Sequence, residues 1–406
     1  MSSYHDLNDV GLMGPPKSRI APSLLVLDQW AGPDVQAGTS KNWLYEGLGR
    51  SFHTNVLNAD DETAARRSRL HCLFKAMLCR PFDARREFHR RMEWAAKHPQ
   101  AFEARTRRFR RAVEMYSQPQ DALFQVGCLF GPVTSNGAKS FSYHDQTVSM
   151  VERHWPQWLP KNFSSYRERF FELERASMQD KDLVFTYSES ARHSMIEDYG
   201  LSPEKVTVAP TACKIAFPEL HQALGKRSQK LLFVSTDFHR KGGDIVFRAF
   251  EILRRTFPEL ELIVLGGPAE QRLPKGARHL GLVSHGRLRA EYLSSALLLH
   301  PARYDAYPNV IKEAMACGLP AVASASAGIP EMVEHGETGL VMEEPDAVSV
   351  ADAVSLLLED EERLRVMREN CLLSRERYRP ETCSATIAEA MLEKIGRTEK
   401  PEGEVA

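Results

Sequence analysis

The sequence predicts an α/β protein made of two doubly wound parallel-sheet domains, with a basic helical insertion in the first. Three observations carry this. At 406 residues the chain exceeds the ~250–300 residues at which a single core stops growing. Short apolar runs of strand length alternate with helix-length stretches, which is the signature of parallel sheets with crossover helices. That alternation occurs twice, on either side of a polar, irregular stretch.

Taken in order, residues 1–20 are polar and proline-bearing and read as a loose arm. The N-terminal domain is expected over 21–215. It opens with a buried strand, Ser23–Asp28, a turn-rich loop holding Gly32, Pro33, Asp34 and Gly38, a helix near Lys41–Gly49 and a strand at Phe52–Leu57. An insertion at 63–118 then breaks the pattern. It is helical in character, with Pro81 and Pro99 as punctuation, and carries 15 Lys/Arg against 4 Asp/Glu between Arg66 and Arg111. Leu70, Leu73, Phe74, Met77 and Leu78 give it an apolar stripe at helical spacing. Strands return at Ala122–Val126, Lys139–Tyr143, Asp182–Thr186 and Val206–Ala209, with helices near Gln146–His154, Phe163–Met178 and Ser190–Tyr199.

Residues 216–228 read as a linker. The C-terminal domain over 229–380 alternates more cleanly: strand Lys230–Val234, helix Gly243–Thr256, strand Glu261–Leu265 and a strand near Leu280–Val283. Helix Arg287–Ser295, strand Ala296–His300, helix Asn309–Cys317 and strands Ala321–Ala323 and Leu340–Met342 follow. Helices fill most of 346–394, a last one at 381–395 reads as packing back on the N-terminal domain, and the polar tail 396–406 reads as disordered.

Composition narrows the function. A formal net charge of −1 argues against a dedicated nucleic-acid binder. The seven cysteines contain no Cys-x-x-Cys pair, which fits free thiols in a reducing cytosol and lacks zinc-ligand spacing. No secretory signal and no apolar run of about 20 residues is visible, so the expected location is cytoplasmic, with any membrane contact peripheral.

The most informative segment runs from Arg303 to Pro320. Leu297–His300 is a strand ending at its carboxyl edge, where ligands of open α/β sheets bind. Pro308 suits a helix start, Gly318 a helix stop, and Pro320 prevents continuation. Asp305 therefore falls on the strand–helix loop and Glu313 one to two turns down the helix, whose free N–H groups suit a diphosphate. A second site follows the strand Lys230–Val234: Arg240-Lys241-Gly242-Gly243 opens the next helix, with glycines that admit a phosphate to the backbone and a lysine as point charge. A basic pair on a solvated loop is the plainer reading of those residues alone.

Asp305, seven residues, and Glu313-Ala314-Met315-Ala316-Cys317-Gly318-Leu319-Pro320 resemble the signature of the family-4 glycosyltransferases, which have the GT-B fold of two Rossmann-like domains facing across a cleft. Ala327–Glu331 and Gly336–Leu340 match the same pattern, and the similarity runs over roughly 182–380. The resemblance implies that Glu313 holds ribose hydroxyls of a nucleotide-sugar donor, that Asp305 bonds the transferred sugar, and that Lys241, with Arg240 as helper, neutralises the diphosphate. Tyr307, Pro308, Asn309 and Val310 would complete the donor site at the helix start, with Gly242 beside it. Two departures stand out. Asp305 is a methylene shorter than the family's usual Glu, and Thr236 occupies the place of its usual Arg.

In similar enzymes the turn Leu282-Val283-Ser284 meets the nucleobase; an ordinary strand end is the alternative. His144, in Phe141-Ser142-Tyr143-His144-Asp145, resembles the family's cleft histidine, and Gly38 and Thr39, after Asp28-Gln29-Trp30, fall where the family has an acceptor loop. The family generally needs no metal or other cofactor and retains the anomeric configuration. The implied partners are the nucleotide-sugar donor and a glycan or lipid-linked acceptor, in cell-surface polysaccharide or glycolipid synthesis. Two readings of residues 66–111 stay open: a basic face on anionic membrane, or a solvated helical cap whose apolar stripe packs inward. A second function also stays open, that of a degenerate protein of this fold that binds a glycan or nucleotide sugar without turnover.

Overall fold

The computed structural model describes residues 21–28, 41–57, 91, 94–267 and 272–396. Within them the chain divides into two compact units. The first comprises residues up to Thr186, Arg192–Ala209 and Ser384 onward; the second comprises Tyr187–Ala191 and Pro210–Cys383.

The first unit is a parallel sheet of six strands, β1 (Ser23–Asp28), β2 (His53–Leu57), β3 (Ala122–Val126), β4 (Lys139–His144), β5 (Leu183–Thr186) and β6 (Val206–Val208), in the order β2-β1-β3-β4-β5-β6. Registers such as Val26↔Val56 and Phe124↔Phe141 hold it in parallel. Helices α1 (Asn42–Leu48), α2 (Pro99–Glu114), α3 (Val148–His154) and α4 (Arg167–Gln179) connect these strands, and α5 (Glu189–Glu197) follows β5. Because helices cover both faces, β1 and β3 are buried along nearly their whole length and read as continuous apolar runs.

The basic insertion is described only from Arg91 onward. There α2 begins at Pro99, after the His98 cap, and turns Phe109 and Val113 inward against Leu25, Leu27, Leu123 and Phe130, while Phe102 packs on Phe170. Arg107, Arg110 and Arg111 face outward. In α2 the apolar stripe is therefore a packing face. The Leu70–Leu78 stripe, the arm 1–20 and the tail from 397 lie outside the described residues.

The second unit repeats the architecture with β7 (Lys230–Ser235), β8 (Glu261–Gly266), β9 (Ala277–Gly281), β10 (Leu297–His300), β11 (Ala321–Ser324) and β12 (Gly339–Met342), in the order β12-β11-β10-β7-β8-β9. Its helices are α6 (Leu220–Ala223), α7 (Gly243–Thr256), α8 (His285–Ser294), α9 (Asn309–Ala316), α10 (Ala347–Leu358) and α11 (Glu361–Ser374); α12 (Pro380–Ile395) starts here and continues into the first unit. Strand alternation feeds two cores. Leu231, Phe233, Leu297 and Leu299 pack with α7 and α10, whereas Leu232 and Leu298 pack with Ile311 and Met315 of α9. These are the two parallel α/β halves the sequence predicts.

Three expectations need correction. The strand expected near Leu280–Val283 is β9, earlier in the chain at Ala277–Gly281; it is a polar edge strand paired only with β8, so apolar content misplaces it. The stretch 216–228, expected as a linker, belongs to the second unit. Arg227 fixes it there by donating to the carbonyls of Tyr292, Ser295, Cys317 and Gly318 at 2.6–3.0 Å. Pro308 is the residue before α9 rather than within its first turn, with φ −68 and ψ 123.

Candidate active site

In the second unit the site forms where β7 and β10, paired neighbours, end at their carboxyl edges. The loop after β7 carries Asp237, His239, Arg240 and Lys241 into α7; the loop after β10 carries Arg303, Asp305 and Tyr307 into α9. Gly242 lets the two loops meet. Its φ of +78 is left-handed, and a Cβ there would lie 2.1 Å from the carbonyl oxygen of Pro301. This glycine is demanded by the protein's own backbone, ahead of any phosphate it was expected to admit.

Charge pairing follows from that approach. The Lys241 ammonium forms an ion pair with Oδ2 of Asp305. His300, the last residue of β10, places Nε2 3.2 Å from the same oxygen. Asp305 Oδ1 has no hydrogen-bond partner among the described residues. Burial, with Arg240 adding repulsion, pushes the Lys241 pKa well down; burial, then Lys241 and Arg240, does the same to His300 and keeps its imidazole neutral. Arg240 itself is engaged: Nη1 donates to the Tyr304 carbonyl at 2.9 Å and Nε to Asp237 at 3.0 Å, so its guanidinium also ties the two loops together. Arg303 meets Asp244 in a two-pronged pair at 2.7 and 2.8 Å and balances the carboxylate at the start of α7.

The start of α9 is uncapped. Pro308 offers no capping side chain, and no described residue accepts from the amides of Asn309 or Val310. One turn on, Glu313 is buried and its Oε2 accepts from the Tyr292 hydroxyl at 2.9 Å. Burial raises the Glu313 pKa, opposed by that hydrogen bond and by Lys214, Lys312 and His285. Lys312 is fully buried: its ammonium donates to the Thr211 carbonyl at 3.0 Å, lies 5.2 Å from the Tyr307 ring centre, and is lowered to about 7 by burial. Tyr307 is a packing residue of this corner, with Tyr187 edge-on at 6.3 Å. Gly318, at φ +64, stops α9 as expected. Val283 follows β9 and packs on the second-unit core, while Leu282 beside it is exposed and Ser284 caps α8 by accepting from Arg287 N at 3.3 Å.

In the first unit His144 ends β4 and is buried. Neither ring nitrogen has a partner among the described residues, and burial and then Lys181 lower its pKa to about 3. At the same edge Asp28 receives Lys41 at 3.1 Å and the Tyr45 hydroxyl. Behind His144, Glu174 accepts from Val148 N at 3.1 Å and from Tyr199, and burial raises it to about 7. Gly38 and Thr39, with Gln29 and Trp30, lie outside the described residues.

The structure thus joins Lys241 to Asp305 and places Asn309, Val310 and Glu313 on the helix that follows. The sequence reading missed His300, Tyr292 and Arg303. A histidine closing the apolar run Leu297-Leu298-Leu299 was a usable signal; Tyr292, 21 residues before Glu313, left none.

Comparison with known proteins bears on this arrangement. Residues 217–372, all within the second unit, match the family described as glycosyl transferases group 1. The chain is 35% identical over 145 residues to a GDP-mannose-dependent alpha-(1-6)-phosphatidylinositol monomannoside mannosyltransferase of Mycolicibacterium smegmatis, a match covering 32% of this chain and 38% of that protein. It is 26% identical over 256 residues to a D-inositol 3-phosphate glycosyltransferase of Thermobispora bispora, covering 56% of this chain and 59% of that one. The matches therefore span well under two thirds of these relatives. Among solved structures, sucrose-phosphate synthase of Thermosynechococcus elongatus superposes with a TM-score of 0.64 at 16% identity, over 93% of this chain and 100% of that one. HepE of Anabaena, solved with UDP, gives 0.60 at 15% identity over 91% and 100%. At such identities the likeness concerns the fold.

Proposed function

We propose that the protein is a glycosyltransferase that moves a sugar from a nucleoside-diphosphate donor to a hydroxyl of a glycan or lipid-linked acceptor, in glycolipid or polysaccharide synthesis. The observation that carries this reading is the grouping of Lys241 and Asp305 beside a helix start with open amides, one turn before the buried carboxylate of Glu313. Glu313 accepts the two ribose hydroxyls. The amides of Asn309 and Val310 and the Lys241 ammonium take the charge that develops on the leaving diphosphate, which is preorganised electrostatic stabilisation. Asp305 Oδ1 accepts from a hydroxyl of the transferred sugar. His144, held neutral, serves as an acceptor or donor to sugar hydroxyls without adding charge. Transfer with retention, and with no resident metal or other cofactor, completes the reading; the mannosyl and inositol enzymes among the relatives support the acceptor class. The outward arginines of α2 support peripheral contact with anionic membrane.

The test is release of nucleoside diphosphate from UDP-, GDP- and ADP-sugars, with Glu313→Ala and Lys241→Ala as controls. Each substitution is expected to cut turnover by about 10²-fold or more, the size of losing one fixed charge donor or acceptor at a reacting centre. Binding without turnover by the wild type would replace this reading by that of a degenerate sugar-nucleotide binder. NMR of the product's anomeric proton tests retention.

A further inference from the structure

Asp305 is short for the task the proposed function gives it, and the structure holds a second residue that answers for the missing length. The carboxylate does not hang free on its loop. Its Oδ2 is gripped twice, by the Lys241 ammonium and by His300 Nε2 at 3.2 Å. His300 itself is fixed. It ends β10, which pairs with β11 on one side and β7 on the other, and its side chain is wholly buried. Nδ1 has no partner among the described residues, so the ring's one polar contact is the one to Asp305. A neutral imidazole with a single N–H satisfies the pair only if the proton sits on Nε2 and points at the carboxylate.

We infer that His300 is a positioning residue for Asp305: it fills the space a longer acidic side chain would cross, pins Oδ2, and so leaves Oδ1 as the oxygen presented to the donor's sugar. This rests on the glycosyltransferase reading for its last clause, while the pairing itself stands on geometry alone. The histidine and the shortened carboxylate then form a matched set. On this inference a glutamate at 305 meets the His300 ring, and an aspartate beside a small apolar residue at 300 is left to Lys241 alone. Since the loop is also tied down by Arg240 at Tyr304, it cannot advance to make up the difference.

The experiment is a set of four full-length variants, His300→Leu, His300→Gln, Asp305→Glu and the double His300→Leu/Asp305→Glu, assayed with whichever nucleotide sugar the wild type turns over. His300→Leu and Asp305→Glu are each expected to lose about ten- to a hundredfold in kcat, the range for removing a hydrogen bond to a charged group, with the Kd for the free nucleoside diphosphate unchanged. The double variant is expected to recover most of that loss, and His300→Gln, which keeps a donor near the Nε2 position, to stay within about fivefold of wild type. Losses that multiply in the double variant, or full activity in His300→Leu, overturn the inference. A second readout separates its failure from failure of the functional reading. In 15N spectra of histidine-labelled protein, His300 is expected as the Nε2–H tautomer, with a resonance that moves in Asp305→Asn. A proton on Nδ1, or no movement, overturns the pairing whether or not any sugar is transferred. An inert wild type with the expected spectrum removes the glycosyltransferase reading and leaves the pair.

Discussion

Replacing Tyr292 by Phe removes one oxygen and leaves the ring, so it isolates what a single hydroxyl does for Glu313. The two side chains meet at 2.9 Å, with Tyr292 fully buried and Glu313 6% exposed. A buried hydrogen bond to an ionised group is worth about 1.5–3 kcal/mol, or roughly ten- to 150-fold in an equilibrium constant. Burial already raises the Glu313 pKa, and the hydrogen bond from Tyr292 does more than any neighbouring charge to hold it down. Without the hydroxyl the pKa climbs further, and the carboxylate is both less charged and free to rotate. Ribose binding by the ionised form is then lost as pH falls, and lost from a higher pH than in wild type. Titration calorimetry with the cognate nucleoside diphosphate across pH 6 to 8.5 reads both effects. Tyr292→Phe should weaken binding about tenfold or more, with the larger deficit at low pH. Equal affinity at every pH would show that Glu313 does not grip the nucleotide through this oxygen, and the placement of the ribose would fall with it.

Gly242→Ala should unfold the second unit at lower denaturant, by at least about 2 kcal/mol, because its Cβ would strike Pro301 O at 2.1 Å and the left-handed φ adds strain; an unchanged midpoint would refute the close approach. Glu174, raised to about 7, is protonated in the fold while an unfolded glutamate ionises near 4.5, so wild-type stability is present below that value and falls as pH rises toward 7. Glu174→Gln should abolish that fall, gaining on wild type by up to about 3 kcal/mol between pH 4.5 and 7 in chemical denaturation. Lys312, lowered to about 7, gives up its proton in the fold above that pH while an unfolded lysine stays charged up to about 10.5, so wild-type stability rises with pH between those values. Lys312→Met should therefore be at its best relative to wild type near pH 7, and its advantage should shrink by pH 9.5.

Much of this architecture was legible because parallel strands buried on both faces leave unbroken apolar runs. Ala122–Val126 and Gly243–Thr256 fall where such runs and the Lys-Gly-Gly helix start place them. Asp305 and Glu313 were legible because loop, proline, helix and glycine stop follow in a fixed order. The rest was hidden for physical reasons. Lys312 is charged in sequence and buried in the fold, a contrast that only tertiary packing creates. Edge strand β9, with Arg278 and His279, lacks the apolar content that marks its neighbours. Arg240, expected as a helper to Lys241, also places its guanidinium on Tyr304 and Asp237, contacts that need the two loops side by side.

Arg227 has a reach its place in the chain would not suggest. One guanidinium gathers carbonyls from the ends of α8 and α9, including that of Tyr292, whose hydroxyl at the other end of the same residue holds Glu313. The two helices, α8 and α9, are thereby riveted at their C-terminal ends to the stretch 216–228. Loosening that rivet, as a lysine with its single ammonium would, lets the pair drift as a unit. Screens for altered donor affinity should then recover changes at residue 227 alongside those in the pocket itself.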